Sequence, residues 1–399
     1  MPILFLTLFL AAALTDPPSL RKKISGNFFI PSPPPALGSQ LHGQFEPEPG
    51  IAADRVSYST EFGMLVPAVV YHPKDTSVKR PAFIVVNGHG GDKYSWYAQY
   101  SGILYARAGA VVLTYDPAGE GERNKQKKSG SRQHDIYQPP DQMGQRMAGL
   151  MITDIEQAVS YLAARPDVDP NRIAAGGYSM GSFILDLACA VETRLHACVM
   201  VGGGYLDGPE GYWDTSSKKM CQQIPYRSLS FLGDRGPVIF ALQATHARSL
   251  IFNGREDDVI AIPSHDDKFF EDMHRRTAEL HSGPVFDYAF NPSGSHRPWF
   301  VTKPVALWLE KQMRFPNWTE AKVQAMPVTH ISEWAKANGV FVDKAYATED
   351  REGGAMALDR NIPPVKRADL NVFSDSDWER QKDKLVLDTW WTKAKALCP

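Results

Sequence analysis

Arg172-Ile173-Ala174-Ala175-Gly176-Gly177-Tyr178-Ser179-Met180-Gly181-Ser182-Phe183 holds a short apolar run, a serine set between two glycines, and the start of a second apolar run. Ile173 to Ala175 reads as a strand and Phe183 to Val191 as a helix. Gly177 to Gly181 fits G-x-S-x-G, which a chain of this composition throws up by chance about once in seven or eight cases. The strand before it and the helix after it are what give it weight, because that setting exposes a serine on a sharp turn. A side chain at either flanking glycine would crowd the turn, and the helix presents its N-terminus to negative charge developing at the site.

Outward from this stretch the pattern alternates. Phe83-Ile84-Val85-Val86-Asn87 is an apolar run ending in a glycine cluster, Tyr94 to Ala108 has helical composition, and Val111 to Tyr115 is another apolar run. Strand, helix, strand in that order predicts a βαβ unit and a parallel sheet. Met143 to Ala164 carries Met147, Leu150, Met151, Ile155, Val159 and Leu162 mostly three or four apart, a stripe suited to covering a sheet face. Ala197 to Val201 and Ser249 to Asn253 read as further strands; Asp266 to Leu280 reads as a helix with Ser264 and Asp267 as its capping box, and a last helix lies around Val305 to Met313. From about Phe315 the alternation ends, with helical stretches near Thr319 to Ala325 and Trp378 to Lys395. No repeat of useful length occurs, so a solenoid or propeller is excluded. Proline-rich segments, Pro31 to Pro35 and Glu46 to Gly50, predict an extended arm before the alternating region. The expected organisation is a leader over 1–13, an arm over 14–65, an α/β catalytic domain over 66–314 and a C-terminal extension over 315–399.

Of the 399 residues 43% are hydrophobic and 22% charged, which is globular composition and excludes a disordered or collagen-like chain. With 43 basic against 45 acidic residues the net charge is −2, so nothing in the charge favours nucleic acid or an anionic membrane as partner. Ile3 to Ala13 reads as a signal peptide cut after Ala13, although no basic residue precedes its apolar run; an N-terminal membrane anchor and a misassigned start are the alternatives. No apolar run approaches the ~20 residues that span a bilayer as a helix, so the mature chain is expected to be soluble. Cys189, Cys198, Cys221 and Cys398 stand in no metal-ligand spacing. Cys189 and Cys198 read as small core residues, and no disulfide pairing is chosen.

A serine needs a histidine base, and the base a carboxylate. Asp257 follows the late strand in Gly254-Arg255-Glu256-Asp257-Asp258, with Glu256 and Asp258 as competitors, and His296 lies in Ser293-Gly294-Ser295-His296-Arg297-Pro298. Serine, acid and histidine thus follow in hydrolase order. An oxyanion is held by two backbone N–H groups, one from the residue after the nucleophile, here Met180, and one from an early loop. Asn87-Gly88-His89-Gly90-Gly91-Asp92 supplies the second, with Gly91 favoured and Gly90 next; His89 is expected to brace this loop. Asp116 to Arg123 reads as a loop shaping the pocket or bracing that of His89. Neither a dinucleotide fingerprint nor a Walker motif occurs, and no cofactor or metal is expected.

Taken together, these motifs resemble the α/β-hydrolase superfamily, and within it the bacterial acetyl xylan esterase-like and dienelactone hydrolase-like groups, over roughly Val66 to Met313. The resemblance implies a mostly parallel sheet with helices on both faces, Ser179 as nucleophile, His296 as base, Asp257 as the acid and backbone N–H groups for the oxyanion. It implies an acyl-enzyme hydrolase of short-chain, acetyl-type esters, small or carbohydrate-linked. The alternatives are a serine peptidase of the prolyl oligopeptidase type, whose usual N-terminal propeller has no room here, and a non-catalytic protein of the same fold.

Overall fold

The computed structural model describes residues 14, 16–137, 141–208, 211–215, 221–342 and 356–398. The leader expected over 1–13 lies outside them. In chain order the helices are α1 (Pro17–Asn27), α2 (Trp96–Arg107), α3 (Asp141–Ala164), α4 (Met180–Val191), α5 (Tyr212–Thr215), α6 (Gln223–Ser228), α7 (Arg235–Ala244), α8 (Ile262–Leu280), α9 (Lys303–Met313), α10 (Glu320–Ala325), α11 (Ile331–Asn338), α12 (Asp375–Leu385) and α13 (Leu387–Lys395). The strands are β1 (Gln40–Glu48), β2 (Ile51–Ser59), β3 (Leu65–Pro73), β4 (Arg80–Val86), β5 (Val111–Tyr115), β6 (Val168–Tyr178), β7 (Leu195–Val201), β8 (Arg248–Gly254), β9 (Phe286–Asn291), β10 (Val328–His330) and β11 (Met356–Leu358).

Nine strands form one sheet in the order β1-β2-β3-β5-β4-β6-β7-β8-β9. From β5 to β9 every pairing is parallel, while β1, β2, β3 and β5 pair antiparallel. The alternation of side chains along a strand splits the core in two. Ile84 and Val86 face a layer containing α1, α3, α4, α7, α8 and α13, whereas Phe83 and Val85 face α2, α9, α10 and α11. Strands buried on both faces carry the continuous apolar runs seen in β4 and β5.

The arm expected over 14–65 is not an arm: it holds α1 and the antiparallel strands β1 and β2. Pro47 sits on β1, a half-exposed strand at the sheet edge where a missing N–H is tolerated, and Gly50 turns the hairpin at φ 88°. The expected capping box at Ser264 is also absent, since α8 starts at Ile262 after Ala261 in a left-handed conformation, which places Ser264 inside the helix. The C-terminal extension grips both faces. Its α10 and α11 complete one core layer, and α13 inserts Leu387, Trp390 and Ala394 into the other, where Trp390 Nε1 donates to Glu61 Oε2 at 2.7 Å. Cys189 at the end of α4 is disulfide-bonded to Cys198 on β7.

Candidate active site

Strand β6 and helix α4 meet at Ser179, whose backbone lies at φ 56°, ψ −119°, a region costly for any residue with a side chain. Close packing explains the two glycines. A Cβ on Gly177 would stand 2.3 Å from the Gly181 carbonyl oxygen, and one on Gly181 would stand 2.5 Å from that of Val86 and 2.6 Å from that of Asn87. The Ser179 N–H donates to the Val201 carbonyl at 3.0 Å, which ties the turn to β7.

The loops after β8 and β9 are laced together. Arg255 N–H donates to the Asn291 carbonyl and Glu256 N–H to that of Gly294, both at 2.9 Å, and a Cβ on Gly254 would lie 2.0 Å from the Gly294 oxygen. This lacing brings Asp257 Oδ2 to 2.8 Å from His296 Nδ1, while His296 Nε2 lies 2.9 Å from Ser179 Oγ. Asp257 Oδ1 accepts from the N–H groups of Val259 and Ile260 at 3.1 and 3.3 Å. Asp257 is buried, whereas Glu256 and Asp258 are exposed, which separates the three adjacent acids. The carboxylate fixes the ring so that Nδ1 donates to it and Nε2 can accept the serine proton.

Ser179, His296 and Met180 line a cavity of about 290 Å³, near the lower end for small-molecule sites. Met180 opens α4, where its N–H has no preceding helical turn to donate to. The expectation for Gly91 fails: its N–H donates to the Gly88 carbonyl at 3.0 Å, closing a turn, and the residue of this loop that reaches the cavity is His89.

Asp116 and its loop are a brace. Lys93, Asp116 and Glu122 are buried, with Lys93 Nζ 2.5 Å from Asp116 Oδ2 and 2.9 Å from Glu122 Oε2, and the Glu122 N–H donates to Asp116 Oδ2 at 2.8 Å. Burial works against the Lys93 charge, yet Asp116 and Glu122 outweigh it and hold the ammonium well above its usual range. Glu122 also accepts the N–H groups of Val372 and Phe373, each at 2.9 Å, so the loop carrying His89 is keyed to the C-terminal extension. No described residue of that extension lines the cavity.

Sequence reasoning missed the wall formed by Gly202, Gly203, Gly204, Tyr205, Leu206 and Trp213 after β7. Three consecutive glycines followed by aromatics at the end of a strand were the available signal. It also missed Asp186, one and a half turns into α4, which lines the cavity floor. Desolvation pushes this carboxyl well above the ordinary range, against a weaker opposing effect of Gln243.

Residues 83–350 match the alpha/beta hydrolase family. The chain is 30% identical over 144 residues to YtaP of Bacillus subtilis (strain 168), covering 33% of this chain and 46% of that protein, and it spans about half the length of the curated relatives it matches. Acetyl xylan esterase 1 from Thermoanaerobacterium sp. JW/SL YS485 superposes with a TM-score of 0.51 at 14% identity, over 77% of this chain and 96% of that one. The methylesterase BT1017 gives 0.52 at 21% identity, over 77% and 68%. At such identities the likeness is one of fold. The family match, which spans β4 to the C-terminal extension and so encloses Ser179, Asp257 and His296, shows that this chain belongs to the alpha/beta hydrolase family.

Proposed function

We propose that the protein is a serine hydrolase of short-chain carboxylic esters, acetyl first, with carbohydrate-linked esters as the natural class. The observation that carries this reading is the unbroken sequence of contacts from Asp257 through His296 to Ser179 at the wall of the cavity. Ser179 Oγ attacks the ester carbonyl while His296 Nε2 takes its proton, and Asp257 stabilises the imidazolium that results. The oxyanion is held by the Met180 N–H and, in place of Gly91, the N–H of His89. His296 then protonates the departing alcohol, and water activated by the same ring releases the acid from Ser179. The acetyl preference is supported by the cavity volume, and the carbohydrate-linked class by the acetyl xylan esterase among the similar folds.

A fluorophosphonate probe tests the mechanism: wild type is labelled and Ser179→Ala is not, and unchanged labelling of the variant sinks the assignment. A panel of acetylated sugars, longer acyl esters and peptide amides tests the substrate. A higher kcat/KM on amides overturns the esterase reading, and a preference for long acyl chains removes the acetyl claim.

We also propose that the chain is exported. The Cys189–Cys198 disulfide suits an oxidising compartment. Cleavage after Ala13 leaves Leu14, whose nitrogen donates to the Leu280 carbonyl at the end of α8, where a new ammonium is favoured by the helix dipole. Intact-mass analysis of the exported fraction should show a chain starting at Leu14; a full-length cytosolic chain would refute export.

A further inference from the structure

Behind the loop after β4, four side chains that the ester chemistry does not use converge on one point. His89 comes from that loop, His134 and Asp135 from a short 3-10 turn over Gln133–Tyr137, and Cys221 from the turn leading into α6. One donor atom from each lies within 4.8 Å of every other. His89 Nε2 is 2.9 Å from Cys221 Sγ and 3.5 Å from Asp135 Oδ1, His134 Nε2 is 3.3 Å from the same oxygen, and the two imidazoles stack with centroids 5.1 Å apart.

We propose that His89, His134, Asp135 and Cys221 form a site for one divalent ion of the zinc class. Two imidazoles, a carboxylate and a thiolate are a borderline-soft donor set, which favours zinc over magnesium or calcium. Bonds of about 2.0–2.3 Å at tetrahedral angles set donor-to-donor edges of roughly 3.3–3.8 Å. The donor atoms stand from 2.9 Å to no more than 4.8 Å apart, which brackets that range, so closing around an ion requires shifts of about 1 Å or less, among them Cys221 Sγ away from His89. Coordination breaks the S–H bond, the proton leaving to solvent and its electron pair going to the metal. A partner for the carboxylate is in place: Arg132 Nε and Nη2 donate to Asp135 Oδ2 at 2.8 and 2.7 Å, which leaves Oδ1 facing the histidines.

Four protein donors complete a tetrahedron, so the ion holds structure and leaves no position open for substrate. It fastens three segments remote in sequence into one wall of the Ser179 cavity, since His89, Arg132 and Gln222 all line it. The expectation of no metal site came from spacing along the chain, where Cys221 has no ligand-spaced neighbour; the fold supplies the neighbours from elsewhere.

The test uses the untagged full-length protein stripped with a chelator, then titrated with Zn²⁺ alone against a competing chelator and, separately, with Co²⁺ as a spectroscopic probe. The expected result is one ion per chain, with intense visible bands of tetrahedral cobalt and a near-ultraviolet thiolate charge-transfer band. Cys221→Ser abolishes the charge-transfer band, and Cys221→Ser, Asp135→Asn and His134→Ala each weaken Zn²⁺ binding by about 100-fold. Circular dichroism verifies that each variant is folded. Wild-type protein that binds no stoichiometric Zn²⁺, gives cobalt without a thiolate band, or binds as tightly as Cys221→Ser and Asp135→Asn overturns the proposal. Binding is read without substrate, so the outcome stands whether or not Ser179 is a nucleophile.

Discussion

Glu122→Gln isolates the contact that keys the loop bearing His89 to the C-terminal extension. In the wild type Glu122 Oε1 accepts the Phe373 N–H at 2.9 Å, and Oε2 accepts that of Val372 while lying 2.9 Å from Lys93 Nζ. Glutamine keeps a single acceptor oxygen. Its amide nitrogen must then face a backbone N–H or the Lys93 ammonium, donor against donor, so one charge-assisted hydrogen bond worth about 1.5–3 kcal/mol is lost. Lys93 is left with Asp116 alone, and breaking a buried ion pair by removing one partner costs about 3–5 kcal/mol. These terms overlap, so the expected loss is about 3–5 kcal/mol in total, read as a shift in urea midpoint at unchanged slope. Amide exchange should show protection at Val372 and Phe373 falling ahead of the sheet. Combining the change with Lys93→Met should cost at least about 1 kcal/mol less than the sum of the single losses, because the two side chains interact directly. A loss below about 1 kcal/mol for Glu122→Gln, or additivity in the double variant, would refute the reasoning.

Asp257→Asn should lower kcat/KM by about 10³- to 10⁴-fold while Asp258→Asn stays near wild type; a larger loss at Asp258 rejects the buried acid as the partner of His296. Gly181→Ala places a Cβ 2.5 Å from the Val86 oxygen and must push the start of α4 away from β4, so kcat should fall about 100-fold; wild-type turnover in this variant would show that the contact can relax. Because burial raises the Asp186 carboxyl in the native state, its contribution to stability is fully present below the unfolded value of about 4 and is lost as pH rises toward the native one. Asp186→Asn should therefore gain on the wild type in urea midpoint as pH rises above about 4, and a difference that does not change with pH would contradict the raised carboxyl.

The serine turn, the order of the three site residues and the strands from β4 to β8 were legible because each rests on a local signal: glycines that close packing demands, or apolar runs with turn residues after them. The acid was legible only to within three residues. The family resemblance chose Asp257 over Glu256 and Asp258, but the physical reason lies in the lacing to Gly294, a contact about forty residues away that no local pattern carries. Strand β1 was hidden by prolines that read as an extended arm, since an edge strand with a half-exposed face offers no continuous apolar run, and β2, although buried along most of its length, has its apolar run broken by Asp54, Arg55 and Ser57. Gly91 was favoured because glycine lets the backbone approach a substrate closely, but glycine there serves close packing within the protein: a Cβ would stand 2.1 Å from Tyr97 Oη. The metal-type cluster and the Glu122 key join residues far apart in the chain, and only the fold makes them neighbours.

The backbone at Ser179 sets a price on the serine itself. At φ 56°, ψ −119° a side-chain-bearing residue is strained by about 1–3 kcal/mol, whereas glycine enters that region freely and gives back only about 0.4–1 kcal/mol through its looser unfolded chain. Ser179→Gly should thus unfold at higher urea than Ser179→Ala, although the proposed mechanism makes both inactive; the reverse order would show that the turn is relaxed. Over generations, a lineage released from the need to hydrolyse anything has a physical incentive to drift from serine to glycine at this one position. Glycine there in a sister chain would mark an enzyme that has become a scaffold.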